Sequence, residues 1–138
     1  MKSGFEIIDH TADVAIAAYG ADLKEAFANA ACGLFSIITN IDEVREATRR
    51  DVEVNADDKK DLLVSWLNEL IYIYEVERLL FKRFDIADLG ETKLKAYCYG
   101  EAIDPKRHEI RGEIKAATYH MLKIEEGDSV RVQVLFDI

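Results

Sequence analysis

The feature that most constrains the fold is a long helical pattern in the middle of the chain. Acidic residues at 57–58 open it, and apolar side chains then recur every three or four positions from Leu63 to Leu80. The pattern predicts a helix that continues to Arg83, with about 25 residues and a length of roughly 38 Å. Acidic residues in the first turn favour this start, because they oppose the positive end of the helix dipole. A helix with such an apolar face needs another layer to cover it, so we expect this element to form most of the core.

The two faces of this helix have different expected roles. Trp66 and Leu70 belong to the apolar stripe and are predicted to be buried. Asn68 and Glu69 are polar, and they could belong to a functional site. We expect them instead on the solvated flank of the helix, which is the commoner place for such residues.

A second helix and several strands complete the pattern. Asp22 and Glu25 have the spacing of a capping box, and the apolar period that follows predicts a helix ending near Asn40. Alternating apolar residues predict strands at 5–8, 14–19, 51–54, 84–89, 93–100, 114–124 and 130–136. This order predicts a single α+β domain over residues 1–138, with two long helices packed on a mainly antiparallel sheet.

Length and composition are those of one soluble globular domain. The chain has 138 residues, of which 49% are hydrophobic and 33% charged. No apolar run is long enough to span a bilayer, and the first residues lead into no signal-peptide core, so a cytoplasmic location is expected. Cys32 and Cys98 lie far apart and in no paired motif, which predicts reduced core thiols rather than a disulfide or a zinc site.

The charge balance limits the partners that this chain can bind. Eighteen basic and 27 acidic residues give a formal charge of −9. A surface of that sign repels phosphate backbones, so direct binding of RNA or DNA is disfavoured. A basic protein partner or a cation is favoured instead.

Polar residues interrupt the apolar alternation near the N-terminus and at the last residues. Asp13 closes the segment His10-Thr11-Ala12-Asp13, which is either a turn or part of a site placed between two strands. Asp137 lies beside the α-carboxylate of Ile138, and a hard cation such as Ca²⁺, Mg²⁺ or Mn²⁺ would relieve the repulsion between two such anions. A solvated chain end is the alternative. His108 follows a proline-containing turn and is expected to be an exposed loop histidine.

Four segments together resemble the archease family over essentially the whole chain. They are His10-Thr11-Ala12-Asp13-Val14, the helical segment 61–70, the run Lys115-Ala116-Ala117-Thr118-Tyr119-His120 and the final Asp137-Ile138. Archeases are small proteins that assist the RtcB-type RNA ligase, which joins tRNA halves after intron removal.

The resemblance implies a divalent-cation site. Its ligands would be the side chains of Asp13 and Asp137 and the carboxylate of Ile138, and these oxygens suit Ca²⁺ or Mg²⁺/Mn²⁺. His10, Thr118 and His120 match the family motifs too. They are expected to orient the ligands rather than to bind the ion, and His120 is equally well explained as a buried core histidine.

The resemblance also implies a role without catalysis of its own. An archease speeds guanylylation of the ligase and allows repeated turnover, and its partner is therefore the ligase rather than RNA. A chaperone-like interaction module is one alternative. A metal-dependent hydrolase using Asp13 and His10 is a weaker one, because the sequence offers neither a nucleophile with a matched base nor a glycine-rich phosphate loop.

Overall fold

Two antiparallel sheets and two helices make up the computed structural model, which describes residues 4–9 and 13–138. The strands are β1 (Gly4–Asp9), β2 (Asp13–Gly20), β3 (Thr48–Asn55), β4 (Leu79–Leu89), β5 (Lys93–Ala102), β6 (Ala116–Glu126) and β7 (Val130–Asp137); the helices are α1 (Leu23–Ile38) and α2 (Lys59–Glu77), with a 3-10 turn at Ile41–Glu43. One sheet has the order β1-β2-β7-β6 and the other β3-β5-β4. The predicted α+β class, with two helices packed on antiparallel strands, is confirmed. No helix in the described ranges is long and apolar enough to cross a membrane.

Helix α1 begins where the capping-box spacing predicts. The Asp22 carboxylate accepts a hydrogen bond of 2.9 Å from the backbone N–H of Glu25, which satisfies a donor that the first turn leaves open. Three alanines on the inner face, Ala26, Ala30 and Ala31, are fully buried. Their small side chains let the helix lie close to β2 and β4, the strands on which it packs.

Helix α2 supplies the centre of the core. Asp58 caps its first turn by accepting a bond of 2.8 Å from the backbone N–H of Asp61. Trp66 and Leu70 are both completely buried, as predicted. The Trp66 indole N–H donates to the carbonyl of Phe27 at 3.1 Å, so a fully buried ring still has its polar atom satisfied and ties the two helices together.

Helix α2 is shorter than the sequence predicts. It ends at Glu77, Arg78 takes the left-handed conformation with φ 58°, and Leu79 begins strand β4, so the prediction of a helix to Arg83 was wrong. The apolar residues after Glu77 fit a helical and an alternating period equally well. Pairing with β5 decides between them, since it buries Leu80 and supplies its backbone with strand partners.

The core thiols behave as expected in the main. Cys98 is buried and Cys32 is partly buried, and both are free. Burial raises the pKa of Cys98 to about 12 and that of Cys32 to about 11, so both remain protonated thiols at neutral pH.

His108 is buried, and its predicted exposure was wrong. Only 4% of the residue is exposed, and its Nδ1 accepts the backbone N–H of Asp104 at 2.9 Å. The proton therefore sits on Nε2, which donates to the Glu101 carboxylate at 3.0 Å. The guanidinium of Arg107 also binds Glu101 and is the main reason that the pKa of this carboxyl falls to about 2. The histidine closes a loop onto β5 and has a structural role.

Candidate functional site

The first and last strands bring two aspartates together. Asp13 is the first residue of β2 and Asp137 the last of β7, and the antiparallel register pairs them directly. Residues opposite each other in such a pair have Cβ atoms about 4.5–5.5 Å apart and project from the same face of the sheet. The sheet thus places two carboxylates that are separated by most of the chain side by side.

Strand β6 holds the end of β7 from its other side. Ala116 lies opposite Asp137, and the backbone N–H of Lys115 donates to the Asp137 carbonyl at 2.9 Å. The hydroxyl of Thr118 donates to the carbonyl of Leu135 at 3.0 Å. Asp137 therefore lies between two strands, and its backbone position is set by both.

The chemistry of this pair is that of hard oxygen donors. Asp13 is partly buried, Asp137 is exposed, and Ile138 keeps 53% of its surface exposed. Carboxylate oxygens are what Ca²⁺, Mg²⁺ and Mn²⁺ prefer. Within residues 4–9 and 13–138, no three side chains of His, Cys, Asp or Glu are grouped so that they could hold a metal ion. A site here would consequently need a donor beyond the two aspartate side chains.

The three predicted orienting residues lie in different environments or outside the described part of the chain. His10 lies outside the described residues, together with Thr11 and Ala12. Thr118 contacts β7 as described. His120 is exposed, so its alternative explanation as a core histidine was wrong.

His120 is exposed because β6 bulges away from β7 at this point. Between Thr118 and Lys123 the strand advances five residues while its partner advances only two, from Leu135 to Gln133. Within the bulge Met121 has a φ of 56°, a conformation that costs a side-chain-bearing residue energy. The Gln133 amide donates to the Met121 carbonyl at 3.0 Å and holds the bulge in shape.

Asn68 is half-buried and binds β6, so its expected place on the solvated flank of α2 was wrong. Its side-chain amide donates to the carbonyl of Ala117 at 3.2 Å and accepts the N–H of the same residue at 2.7 Å. Asn68 thus makes the two backbone hydrogen bonds to β6 that a neighbouring strand would make. It also links α2 to the strand that supports Asp137. Its position at the border of the apolar stripe was the only signal in the sequence. The partner is a backbone group, which every residue has, so the sequence of β6 does not reveal it.

The chain has relatives along almost its entire length. Residues 5–138 match the model of the archease protein family. The protein archease of Methanosarcina acetivorans is 40% identical over 139 residues, covering 97% of this chain and 95% of that protein. The protein archease of Pyrococcus abyssi is 43% identical over 126 residues, covering 88% of each.

Solved structures agree with the sequence relatives. The solution structure of protein 1598 of Methanobacterium thermoautotrophicum superposes with a TM-score of 0.84 at 38% identity and covers 98% of this chain and 99% of that one. A crystal structure from Thermotoga maritima, described as an archease and possible chaperone, has a TM-score of 0.64 at 24% identity, covers 95% of this chain and 94% of its own, and supports the fold alone. Family match, sequence relatives and fold agree, and the chain belongs to the archease family.

Proposed function

We propose that this protein is a non-catalytic cofactor of an RtcB-type RNA ligase. It would act in the cytoplasm, promote guanylylation of the ligase and allow repeated turnover in tRNA splicing or RNA repair. The observation that carries the proposal is the direct pairing of Asp13 with Asp137 in a chain of the archease family.

A divalent cation fits the residues at this end of the sheet. Asp13 and Asp137 would bind it through their side chains and Ile138, the last residue of this sequence, through its α-carboxylate. All three donors are hard oxygens, and two of them lie on paired strand positions. A bound cation would offset two of the three carboxylate charges and would supply a coordination position for a further oxygen ligand.

Neighbouring residues would keep these ligands in place. Thr118 and the N–H of Lys115 hold the backbone of β7 near Asp137. His10 and His120 remain predicted orienting residues. Such supporting contacts commonly change metal affinity by about 10- to 100-fold when they are removed.

The charge of the protein suits a ligase partner. A ligase that binds RNA needs a basic cleft, and a protein with a formal charge of −9 is attracted to such a surface at long range. The same charge disfavours competition for the RNA itself. The activator would therefore bind the ligase, and the ligase alone would bind the RNA.

The test compares the wild type with four variants in a guanylylation assay of the cognate ligase. We expect Asp13→Ala to lose at least about tenfold in cation affinity by calorimetry and to lose ligase activation as well. A C-terminal extension should have the same effect by another route, because it converts the Ile138 carboxylate into a neutral amide. Asp128→Ala, which removes an exposed aspartate in the turn between β6 and β7, is the matched control.

An N-terminal tag of the same length controls for the extension itself. If the tagged, extended and Asp13→Ala proteins are all folded and all activate the ligase like the wild type, the cation site is excluded. If the wild type does not stimulate guanylylation at all, the ligase role is excluded.

A chaperone-like interaction module is the second candidate. It is favoured by the large apolar side chains that α2 and β6 expose, among them Tyr72, Val76 and Tyr119. A general holdase needs a broad apolar patch. Suppression of the aggregation of an unrelated unfolded protein at equimolar ratio would support this role, and failure to suppress it would count against it.

A further inference from the structure

A groove with two halves lies along α2, beside β3 and the bulge of β6, and Tyr119 lines both halves. One half, of about 520 Å³, extends to Glu69 and Tyr72, and the other, of about 400 Å³, extends to Asp57 and Asp61. We call the two halves together the Tyr119 groove. Its volume is in the range of sites that bind ligand side chains.

The aromatic residues of the groove are exposed to solvent rather than packed in the core. Tyr119 keeps 60% of its surface exposed and Tyr72 keeps 56%, although large apolar side chains are usually covered. The Tyr119 hydroxyl donates to the carboxylate of Asp61, which fixes the ring in one orientation. The Gln133 bond to Met121 fixes the backbone beneath it. A rigid exposed aromatic side chain loses little entropy on binding, which is the property of an interface anchor.

The groove is strongly acidic. Among residues 4–9 and 13–138, the charged side chains that line its two halves are five carboxylates and one cation: Asp57, Asp58, Asp61, Glu53 and Glu69, and Lys60. Glu53 is already paired with Lys93 at 2.7 Å, and Asp58 caps α2. The hydrogen bond to Asp61 raises the pKa of the Tyr119 hydroxyl, and the nearby charges of Asp58 and Asp57 add to the effect. Negative potential is therefore concentrated around an exposed aromatic ring.

From this combination we propose that the Tyr119 groove docks an arginine- or lysine-bearing segment of the partner protein. A guanidinium group can lie on the face of Tyr119 while its N–H groups reach the carboxylates of Asp57 and Asp61. The inference rests on the proposed function, since it takes the segment to belong to the RNA ligase. Asp61 already accepts hydrogen bonds from the Tyr119 hydroxyl and the Asp57 N–H, but an apolar or acidic segment would supply no positive charge to these carboxylates.

The groove and the paired aspartates share strand β6. Ala116 lies opposite Asp137, and Tyr119 follows three residues later, roughly 10 Å away at 3.3 Å per residue. An odd spacing along a strand puts side chains on opposite faces, so Tyr119 lies on the face toward α2, where it meets Asp61, and Asp13 and Asp137 project from the other face. Docking in the groove and the proposed cation site would therefore use different faces of the same sheet.

Charge reversals test the docking with matched net charge. Asp57→Lys and Asp128→Lys both change the formal charge from −9 to −7, but only Asp57 lies in the groove. We expect Asp57→Lys to weaken binding of the purified ligase at least about tenfold in biolayer interferometry, and Asp128→Lys to change it less than about twofold. The wild-type affinity should fall as salt rises, and Asp57→Lys should flatten that dependence.

Aromatic substitutions test the anchor in the same assay. We expect Tyr119→Ala to weaken ligase binding about tenfold. Tyr119→Phe keeps the ring but not the bond to Asp61, and it should retain most of the affinity. Ile7→Ala removes an exposed apolar side chain of 46% exposure from the opposite edge of the sheet and should have no effect. Thermal unfolding of each variant separates loss of docking from loss of folding, and Asp57→Lys provides the test if Tyr119→Ala is unfolded.

The outcomes separate this inference from the function on which it rests. If wild-type protein binds and activates the ligase and the groove variants bind equally well, the docking inference is wrong and the proposed function stands. If wild-type protein neither binds nor activates the ligase, both are wrong. If the chain self-associates in sedimentation and Tyr119→Ala abolishes this, the groove is an interface between copies and the docking inference is again wrong.

Discussion

Glu101 shows how a single buried charge is accommodated in this protein. Its carboxylate accepts hydrogen bonds from the Arg107 guanidinium, from the backbone N–H of Arg45 at 2.6 Å and from His108. Three donors compensate the loss of water that burial imposes. Residues 104–109 are thereby held against β5.

This network predicts a pH dependence of stability. The folded state holds the pKa of Glu101 at about 2, mainly through Arg107, and an unfolded glutamate titrates at about 4.3. A depressed carboxyl pKa stabilises the folded state above the unfolded value, and the contribution is lost as the pH falls towards 2. We expect Glu101→Gln to be less stable by about 1–3 kcal/mol at pH 7, with a gap that narrows from pH 5 to pH 2. Urea unfolding at several pH values measures this gap, and a constant gap would contradict the assignment.

Truncation of the buried Leu70 side chain should leave a cavity in the core. It is completely buried on α2, whereas Tyr72 on the same helix is 56% exposed. We expect Leu70→Ala to lower the free energy of unfolding by about 2–5 kcal/mol, and Tyr72→Ala to change it by less than about 0.5 kcal/mol. Chemical denaturation of both variants is the measurement. Equal effects would mean that the helix face is wrongly assigned.

At the scale of elements, strand β5 has a neighbouring strand on each side. It lies between β3 and β4, and Gly100 lies opposite Phe81 of β4. A Cβ at Gly100 would collide with the Leu80 carbonyl oxygen and would lie 2.7 Å from the Phe81 Cα. Backbone atoms cannot move aside as a flexible side chain can.

Two glycine substitutions test this contact. We expect Gly100→Ala to destabilise the protein by at least about 1–3 kcal/mol, because the strands must separate to make room. Gly112→Ala is the control, since its Cβ would meet nothing within 4 Å, and it should stay within about 0.5 kcal/mol of the wild type. The melting temperatures of the two variants provide the comparison, and a stable Gly100→Ala protein would rule out the close approach of β4.

At the scale of the whole molecule, the net charge predicts how the protein behaves toward RNA. With a formal charge of −9, it should not bind RNA measurably on its own at physiological salt. Electrophoretic mobility of labelled RNA with increasing protein is the measurement. Tight and salt-sensitive binding would reveal a basic face and contradict the assignment of RNA contacts to the ligase.

The whole fold also decides where the candidate site lies. Asp13 and Asp137 are at opposite ends of the chain, and the pairing of β2 with β7 makes them neighbours. Every one of the contacts that support the pair, from Lys115, Thr118 and Asn68, crosses between elements. The site is a product of sheet topology.

Local pattern was enough to determine much of this protein. Periodicity and capping located α1 from Asp22 onwards, the start of α2, the buried Trp66 and Leu70 and the alternating strands, because these signals arise within one element. The family resemblance implied a pair of ligands at Asp13 and Asp137. Their roles as ligands remain a prediction.

Tertiary structure decided what depends on distant partners. The end of α2 at Glu77 follows from the pairing of β4 with β5. His108 is buried because the loop after β5 folds back and brings its ring to the Glu101 carboxylate. Asn68 and Tyr119 acquired their roles from a backbone amide and a carboxylate that come from other parts of the chain. A segment whose apolar spacing fits both a helix and a strand takes the form that long-range contacts stabilise. A polar group likewise becomes buried only where a partner is available, and these partners come together only when the chain folds.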